Sequence, residues 1–403
     1  MQICEENLIT PCYVIHKNII DVNLENFYNK VKEIHANSIL SYSYKTNYYP
    51  FIIKSARNNR YWAEVTSEDE YNMAKNIGHF QDIIYNGPQK EKNSFLEAMN
   101  NGCLVNIESY REVEWLDLLN KTKEYTVGIR VNYYLNNYCE EKNDREFTSR
   151  FGFSYENGEL QQIINRIHKK GNIRINCFHM HKSGNSRSVN IYKGIINAAL
   201  SISKNCGIKL EYIDVGGGFK LGVQSELTVK TYIKGMQEEL KKHSAEKIGL
   251  ILEPGNSIVY QAIDYVTTVI DKKIINNKRF VVIDGSRIHI DPLFHRSEYA
   301  NVEIRRVGCY NKNESYDNWM LCGCTCKETD RILKLYTNEI NYGDKVWIKQ
   351  IGSYTMSLIP HFILSVPHVY IEEHGNYKID NEKIQLNNLE WFKEVKNYDR
   401  TKY

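Results

Sequence analysis

Leu210-Glu211-Tyr212-Ile213-Asp214-Val215-Gly216-Gly217-Gly218 and Ile248-Gly249-Leu250-Ile251-Leu252-Glu253-Pro254-Gly255 decide how this chain folds. Each is a short apolar run that stops at a glycine turn, and a helix-length stretch separates them. That alternation is the signature of βα units around a parallel sheet. Working outward, it recurs from about residue 38 to 253, with strands predicted near Ser38–Tyr44, Tyr61–Val65, Asp82–Tyr85, Cys103–Ile107, Thr126–Val131, Ile173–Phe178, Leu210–Val215 and Gly249–Leu252. About eight strands predict a (β/α)8 barrel, a fold of roughly 250 residues. One helix shows its own punctuation: Ser67 and Glu70 form a capping box and Gly78 supplies the stop. The polar stretch from Tyr133 to Glu156 is longer than a usual βα connection, so a lid or a mobile insertion on the active face is expected there.

After about residue 270 the pattern changes to strand-like runs, Phe280–Ile283, Trp319–Cys322 and Lys345–Ile348, separated by Gly and Asn turns. The expected class is α/β, a barrel over 20–270 with a second, mainly β domain over 271–403 that the N-terminal strand within 1–19 joins. Composition agrees with a folded chain: 403 residues, 42% hydrophobic, 25% charged and only 7 Pro. A net charge of +3 leaves no basic excess for a nucleic-acid backbone, so no nucleic-acid partner is expected. Ten Cys without a C-x-x-C pair argue against a disulfide scaffold or a zinc site, and fit a reducing cytoplasm. Neither a signal peptide at Met1-Gln2-Ile3-Cys4-Glu5-Glu6 nor an apolar run long enough to cross a membrane is read, so a cytoplasmic protein with no membrane partner is expected. The 30 Tyr are unusual and have no reading at this level beyond core and surface filling.

Barrel enzymes carry their chemistry at the C-terminal ends of the strands. Here those ends hold Lys45, Glu64, Arg130, His179 with His181, Gly216-Gly217-Gly218, and Glu253. A lysine in the apolar, aromatic setting Tyr42-Ser43-Tyr44-Lys45-Thr46-Asn47-Tyr48 can be desolvated and form a Schiff base with a carbonyl compound, as pyridoxal phosphate requires; a surface lysine is the plain alternative. Three consecutive glycines let backbone N–H groups approach a phosphate, or simply make a flexible turn. Glu253 closes a fully apolar run, where a carboxylate needs a partner, and a pyridinium nitrogen would be one. His181 could lie flat against such a ring, although a lone histidine is often only a core residue.

Taken together, these motifs resemble the barrel-type pyridoxal-phosphate decarboxylases with an alanine racemase-like fold, the group containing diaminopimelate, ornithine and arginine decarboxylases. Tyr44-Lys45-Thr46-Asn47 resembles their Schiff-base motif, His179-Met180-His181 the strand with the ring-stacking histidine, Asp214-Val215-Gly216-Gly217-Gly218-Phe219 the phosphate loop, and Glu253-Pro254-Gly255 the ring-nitrogen motif. Ser149-Arg150-Phe151-Gly152 is similar to their mobile segment. Later motifs also match: Asp284-Gly285, Gly323-Cys324-Thr325-Cys326-Lys327-Glu328-Thr329-Asp330 and Gly352-Ser353-Tyr354-Thr355. The resemblance implies pyridoxal 5'-phosphate as cofactor, bound by Lys45, Glu64, Arg130, His181, Gly216, Gly217, Gly218, Glu253, Gly255, Asn256 and Tyr354. It implies an amino-acid substrate and a homodimer with shared sites, in which Cys326 comes from the neighbouring subunit as proton donor, with no metal. Glu70 falls near the lysine as well but already has a role as a helix cap. Cys322, Cys324 and Cys326, spaced by two, would share one strand face, and the first two read as packing.

Substrate identity is where the chain departs from its resemblance. Diaminopimelate decarboxylases usually have Arg after Glu-Pro-Gly, Arg before the Pro of the next segment, and Glu after the catalytic Cys. Here Asn256, Asp291 and Lys327 stand in those places. Two lost arginines and one reversed charge argue against the ordinary grip on a distal carboxylate. Lys327 could still bind an acidic group and Asp291 an amine. The expected activity is therefore an amino-acid decarboxylase whose specificity is altered toward another or a modified amino acid; ordinary diaminopimelate decarboxylase, a racemase, or a non-catalytic regulatory homologue are the alternatives.

Overall fold

The computed structural model describes residues 4–139, 149–182, 188–219, 228–296, 301–306, 317–337 and 340–381. Contacts along the chain divide it into two units, Asp21–Ile258 and Met1–Ile20 with Val259–Tyr403. In the first unit eight parallel strands run Ile39–Ser43, Trp62–Val65, Ile83–Tyr85, Leu104–Ile107, Tyr125–Asn132, Ile173–His179, Tyr212–Asp214 and Gly249–Leu252. Each pairs with the next barrel strand, and the ring closes where Ile251 and Leu252 pair with Ile39 and Leu40. All eight expected strands are present, with ends moved by one or two residues. Inside the ring, Ile84 and Ile251 are fully buried beside Leu104 and Cys177, and each such isoleucine stabilises the fold by about 1.5–3 kcal/mol.

The punctuation between the second and third strands holds with one change. Ser67 Oγ accepts the Glu70 backbone N–H at 3.2 Å and starts the helix Glu68–Asn76. The Glu70 carboxylate reaches one residue further back than a capping box requires, accepting from the Thr66 N–H at 2.7 Å and the Thr66 hydroxyl at 3.0 Å. Gly78 takes φ +96°, the left-handed geometry that ends the helix without a Cβ clash. Of the long polar connection after the fifth strand, residues 140–148 lie outside the described residues. Its C-terminal part returns as a short strand, Phe153–Ser154, paired to Val131 and Asn132.

The second unit is a largely antiparallel sheet. Strand Cys12–His16 lies between Ile263–Ile275, to which it is antiparallel, and His368–Glu373, to which it is parallel. Strand Lys278–Ile283 leaves the first of these by a tight hairpin in which Asn276 and Asn277 both take positive φ, as a type I′ turn demands. It pairs on its other side with Asp317–Cys322, which Arg331–Thr337 follows antiparallel. Cys12, Val14, Val266, Trp347 and Tyr370 form the buried cluster.

Several buried tyrosines now have a reason. Tyr13, Tyr61 and Tyr133 bury their rings and donate their hydroxyls to the backbone carbonyls of His289 (2.6 Å), Leu24 (2.9 Å) and Met180 (2.9 Å). Each fills core volume while pairing its own hydroxyl, which burial would otherwise leave unsatisfied. Among the described residues, no helix is long and apolar enough to cross a membrane.

Candidate active site

The first strand ends in the 3-10 turn Tyr44–Thr46, which presents Lys45 just past the rim. Its Nζ donates to Glu64 Oε2 at 2.5 Å, and the same oxygen accepts the Ser43 hydroxyl at 2.5 Å. Glu64 is 1% exposed. Burial alone would raise its carboxyl, but the Lys45 charge and bonds from Lys45, Ser43 and Asn86 bring it below the usual carboxylate range. The lysine is thus held by a partner that stays charged.

Across the mouth, Glu253 follows the eighth strand with its carboxyl buried. Burial first, then the neighbouring charges of Asp214 and Glu64, push it well above the ordinary range. Asp214, at the end of the seventh strand, is pushed up to about 7, mainly by burial, although its Oδ1 accepts the Gly216 N–H at 2.9 Å. His179, Asp214 and Glu253 bring donor atoms within 4.8 Å of one another. The Lys45 charge acts against the rise at Glu253, but Lys45 itself is bonded to Glu64.

The glycines are required by close approach. A Cβ at Gly216 (φ +71°) would collide with the His181 ring, one at Gly217 with the Glu253 carbonyl, and one at Gly255 with the Thr46 hydroxyl. These contacts set the imidazole of His181 against the glycine loop. Arg130, on the fifth strand, donates from Nη1 to His179 Nε2 at 2.6 Å and from Nη2 to the His181 carbonyl at 2.8 Å. Burial and then the Arg130 charge drive His179 well below its usual pKa, so it remains neutral and accepts. Gly152 packs on the Arg130 carbonyl with φ +74°, and Asn132 Nδ2 donates to the Ser149 carbonyl at 2.6 Å. Asn256 is exposed at the start of the short helix Asn256–Val259. Lys45, Glu64, Arg130, His181, Gly216, Gly217, Gly218, Glu253, Gly255 and Asn256 thus all belong to the barrel unit.

Cys326, Lys327, Asp291 and Tyr354 belong to the β unit. The strand Asp317–Cys322 stops at Cys322, so the three cysteines do not share a strand face as their spacing suggested. The chain bends because Gly323 abuts the Asp330 carboxylate with no room for a Cβ. Asp330 also accepts from the Thr325 hydroxyl (2.6 Å), the Ser286 hydroxyl (2.9 Å) and the Arg287 N–H (2.8 Å). This carboxylate shapes the turn that exposes Cys326. Asp291 is not an available acceptor for a substrate amine: its oxygens take Arg287 Nε at 3.1 Å and Nη2 at 2.7 Å, and the N–H groups of His295 and Arg296 at 3.0 Å each. Lys327 is exposed with Nζ 4.5 Å over the Phe294 ring. Tyr354 is half exposed with φ +55°.

Three contributors escaped the sequence: Asn86, Asn106 and Tyr192, whose hydroxyl donates to the Gly217 carbonyl at 3.0 Å; Asp330 ends a motif read in the sequence, but its part in the turn was not legible there. Asn86 and Asn106 lie on the third and fourth strand exits, the two exits to which no chemistry had been given. Their position was the available signal.

Residues 22–260 match the family described as pyridoxal-dependent decarboxylase, pyridoxal binding domain. A diaminopimelate decarboxylase of Helicobacter pylori is 24% identical over 340 residues, 81% of each chain. An L-glutamyl-[BtrI acyl-carrier protein] decarboxylase of Niallia circulans is 22% identical over 409 residues, 93% of this chain and 91% of that one. The crystal structure of diaminopimelate decarboxylase from Helicobacter pylori complexed with L-lysine superposes with a TM-score of 0.80 at 21% identity, covering 97% of this chain and 98% of that chain.

Proposed function

The chain belongs to the pyridoxal-dependent decarboxylase family, and on that premise we propose that it releases CO2 from an amino acid other than meso-diaminopimelate, using Lys45 and Cys326. Pyridoxal phosphate is the cofactor of this family, and the barrel mouth fits it: a lysine, a cradle that Cβ atoms would fill, and a buried carboxyl in need of a cation. Bound there, pyridoxal phosphate supplies the electron sink for the bond broken at the substrate's α-carbon. Lys45 Nζ would hold the cofactor by its aldehyde carbon, and Glu64 orients that nitrogen and balances its charge. Glu253 would pair with a protonated ring nitrogen, and His181 would stand against the ring. The backbone of Gly216, Gly217, Gly218 and Gly255, with Asn256 and Tyr354, would receive the phosphate. Arg130 fixes His179 and His181.

Cys326 of the partner subunit would donate the proton that takes the place of CO2 at the α-carbon, and Lys45 would release the amine product. This assignment needs a homodimer. The substitution pattern supports altered specificity: Asn256 lacks a guanidinium, Asp291 is engaged by its own loop, and Lys327 remains as the charge beside Cys326. We therefore favour a substrate with an acidic group or an acidic conjugate. The relative that acts on a carrier-bound glutamyl group is consistent with that class.

The observation that carries the proposal is the Lys45–Glu64 pair beside the buried Glu253. Adding pyridoxal phosphate to the apoprotein should give the visible absorbance of a protein-bound Schiff base, and Lys45→Ala should lose it with at least about a thousandfold loss of turnover. Unchanged absorbance in that variant would assign the attachment elsewhere.

A further inference from the structure

We propose that Asn86 is a positioning residue that ties the carboxylate serving Lys45 to the carboxylate serving the cofactor's ring nitrogen, and that it sets the protonation of the latter. The inference rests on the assignment of Glu253 to the ring nitrogen and deepens it. Asn86 is buried at the exit of the third strand. Its Nδ2 carries two hydrogens, and the structure gives it two carboxylate acceptors: Glu253 Oε1 at 2.5 Å and Glu64 Oε1 at 3.1 Å. One amide therefore spans the two acids whose charges the chemistry needs to keep distinct.

The orientation of that amide is fixed by a second one. Asn86 Oδ1 accepts from Asn106 Nδ2 at 2.7 Å, and Asn106 Nδ2 also donates to Asp214 Oδ2 at 3.1 Å. Flipping Asn86 would set its NH2 against the Asn106 NH2 and its oxygen against Glu253. Gly128, on the neighbouring strand, is needed for the same reason: a Cβ there would overlap Asn106 Oδ1. The result is a buried chain from Glu64 through Asn86 to Glu253, with Asn106 branching to Asp214. N–H donation to a carboxylate favours its charged form. Glu253 also faces Asp214, to which it is hydrogen-bonded, from the seventh strand, His179 and Cys177 from the sixth, Glu64 from the second and Lys45 from the first. Asn86 donates to Glu253 without bringing a charge.

Pyridoxal-phosphate affinity of the apoprotein, followed by absorbance from pH 6 to 9, reads the consequence. The Glu253–ring nitrogen pair needs one proton. Below the pKa of Glu253 the free protein already carries it; above, the proton is drawn from solution and affinity falls. Asp214, pushed up to about 7, titrates in the same window, so the break that marks Glu253 is the one that Glu253→Gln abolishes; differences between proteins measured with the same cofactor cancel the cofactor's own titrations. Asn86→Ala should move the break up by about one pH unit, and Asn86→Asp, isosteric but adding a carboxylate, should move it further. If the alanine variant does not fold, the aspartate variant carries the test alone. A break left in place in folded Asn86 variants, whatever the affinity, overturns the bridge. Glu253→Gln separates the two assignments: loss of the break in that variant keeps Glu253 as the titrating group, while its persistence overturns both the Glu253 assignment and the bridge.

Discussion

Lys90 is fully buried, yet its ammonium meets the Gly87 carbonyl at 2.7 Å, the Asn106 carbonyl at 3.0 Å and Glu112 Oε2 at 3.4 Å. Burial lowers its pKa, against the pull of Glu112. Those two carbonyls belong to residues beside or within the amide chain, so this cation staples the third and fourth strand exits where Asn86 and Asn106 emerge. Removing one partner of a buried pair leaves the other charge uncompensated. We predict that Lys90→Met lowers the free energy of unfolding by about 3–5 kcal/mol, and that Lys90→Met with Glu112→Leu recovers most of it, as read by denaturant titration of the apoprotein. Equal losses in the single and double variants would show that the pair is not what the site leans on. None of this was legible in the sequence, because Lys90 lies in the polar turn Asn86-Gly87-Pro88-Gln89-Lys90, where a lysine is ordinarily solvated.

Among the elements, the turn after the seventh strand depends on side chains far from it in sequence. Tyr192, on the helix Val189–Asn205, donates its hydroxyl to the Gly217 carbonyl at 3.0 Å and stacks on Phe219 at 5.0 Å between centroids, while Tyr232 meets both rings edge-on. Gly216 and Gly218 supply the positive φ that lets the turn form, and the aromatic cluster keeps it from wandering. Tyr192→Phe should cost about 1 kcal/mol of stability and weaken cofactor affinity about threefold to tenfold, the yield of one hydrogen bond. An unchanged dissociation constant would detach the hydroxyl from the loop's geometry. The glycines and the strands around them were readable because an apolar run and a left-handed turn leave direct marks on a sequence. The supports were not: Tyr192 lies 24 residues before Gly216, and only the closed ring brings the two together. The cysteine triad failed for the converse reason. A spacing of two implies one face only while the strand continues, and Asp330 ends it at Cys322.

At the scale of the molecule, the residues assigned to one reaction are distributed over two units: Lys45, Glu64 and Glu253 in one, Cys326, Lys327 and Tyr354 in the other. If sites are completed across a dimer, inactive chains rescue one another. Mixing Lys45→Ala with Cys326→Ala chains and allowing exchange should restore about a quarter of the native rate, since half the dimers are mixed and each has one intact site. No recovery beyond the sum of the separate variants, with exchange verified by differently tagged chains, would place both residues in sites built from a single chain. The most direct measurement is CO2 release by the holoenzyme across D- and L-amino acids, including meso-diaminopimelate, ornithine, lysine, arginine and free and carrier-linked glutamate, beside Lys45→Ala. We predict release that vanishes in the variant and is faster on an acidic or conjugated substrate than on meso-diaminopimelate. Preferred turnover of meso-diaminopimelate to lysine, α-proton inversion without CO2, or undiminished release by Lys45→Ala would contradict it.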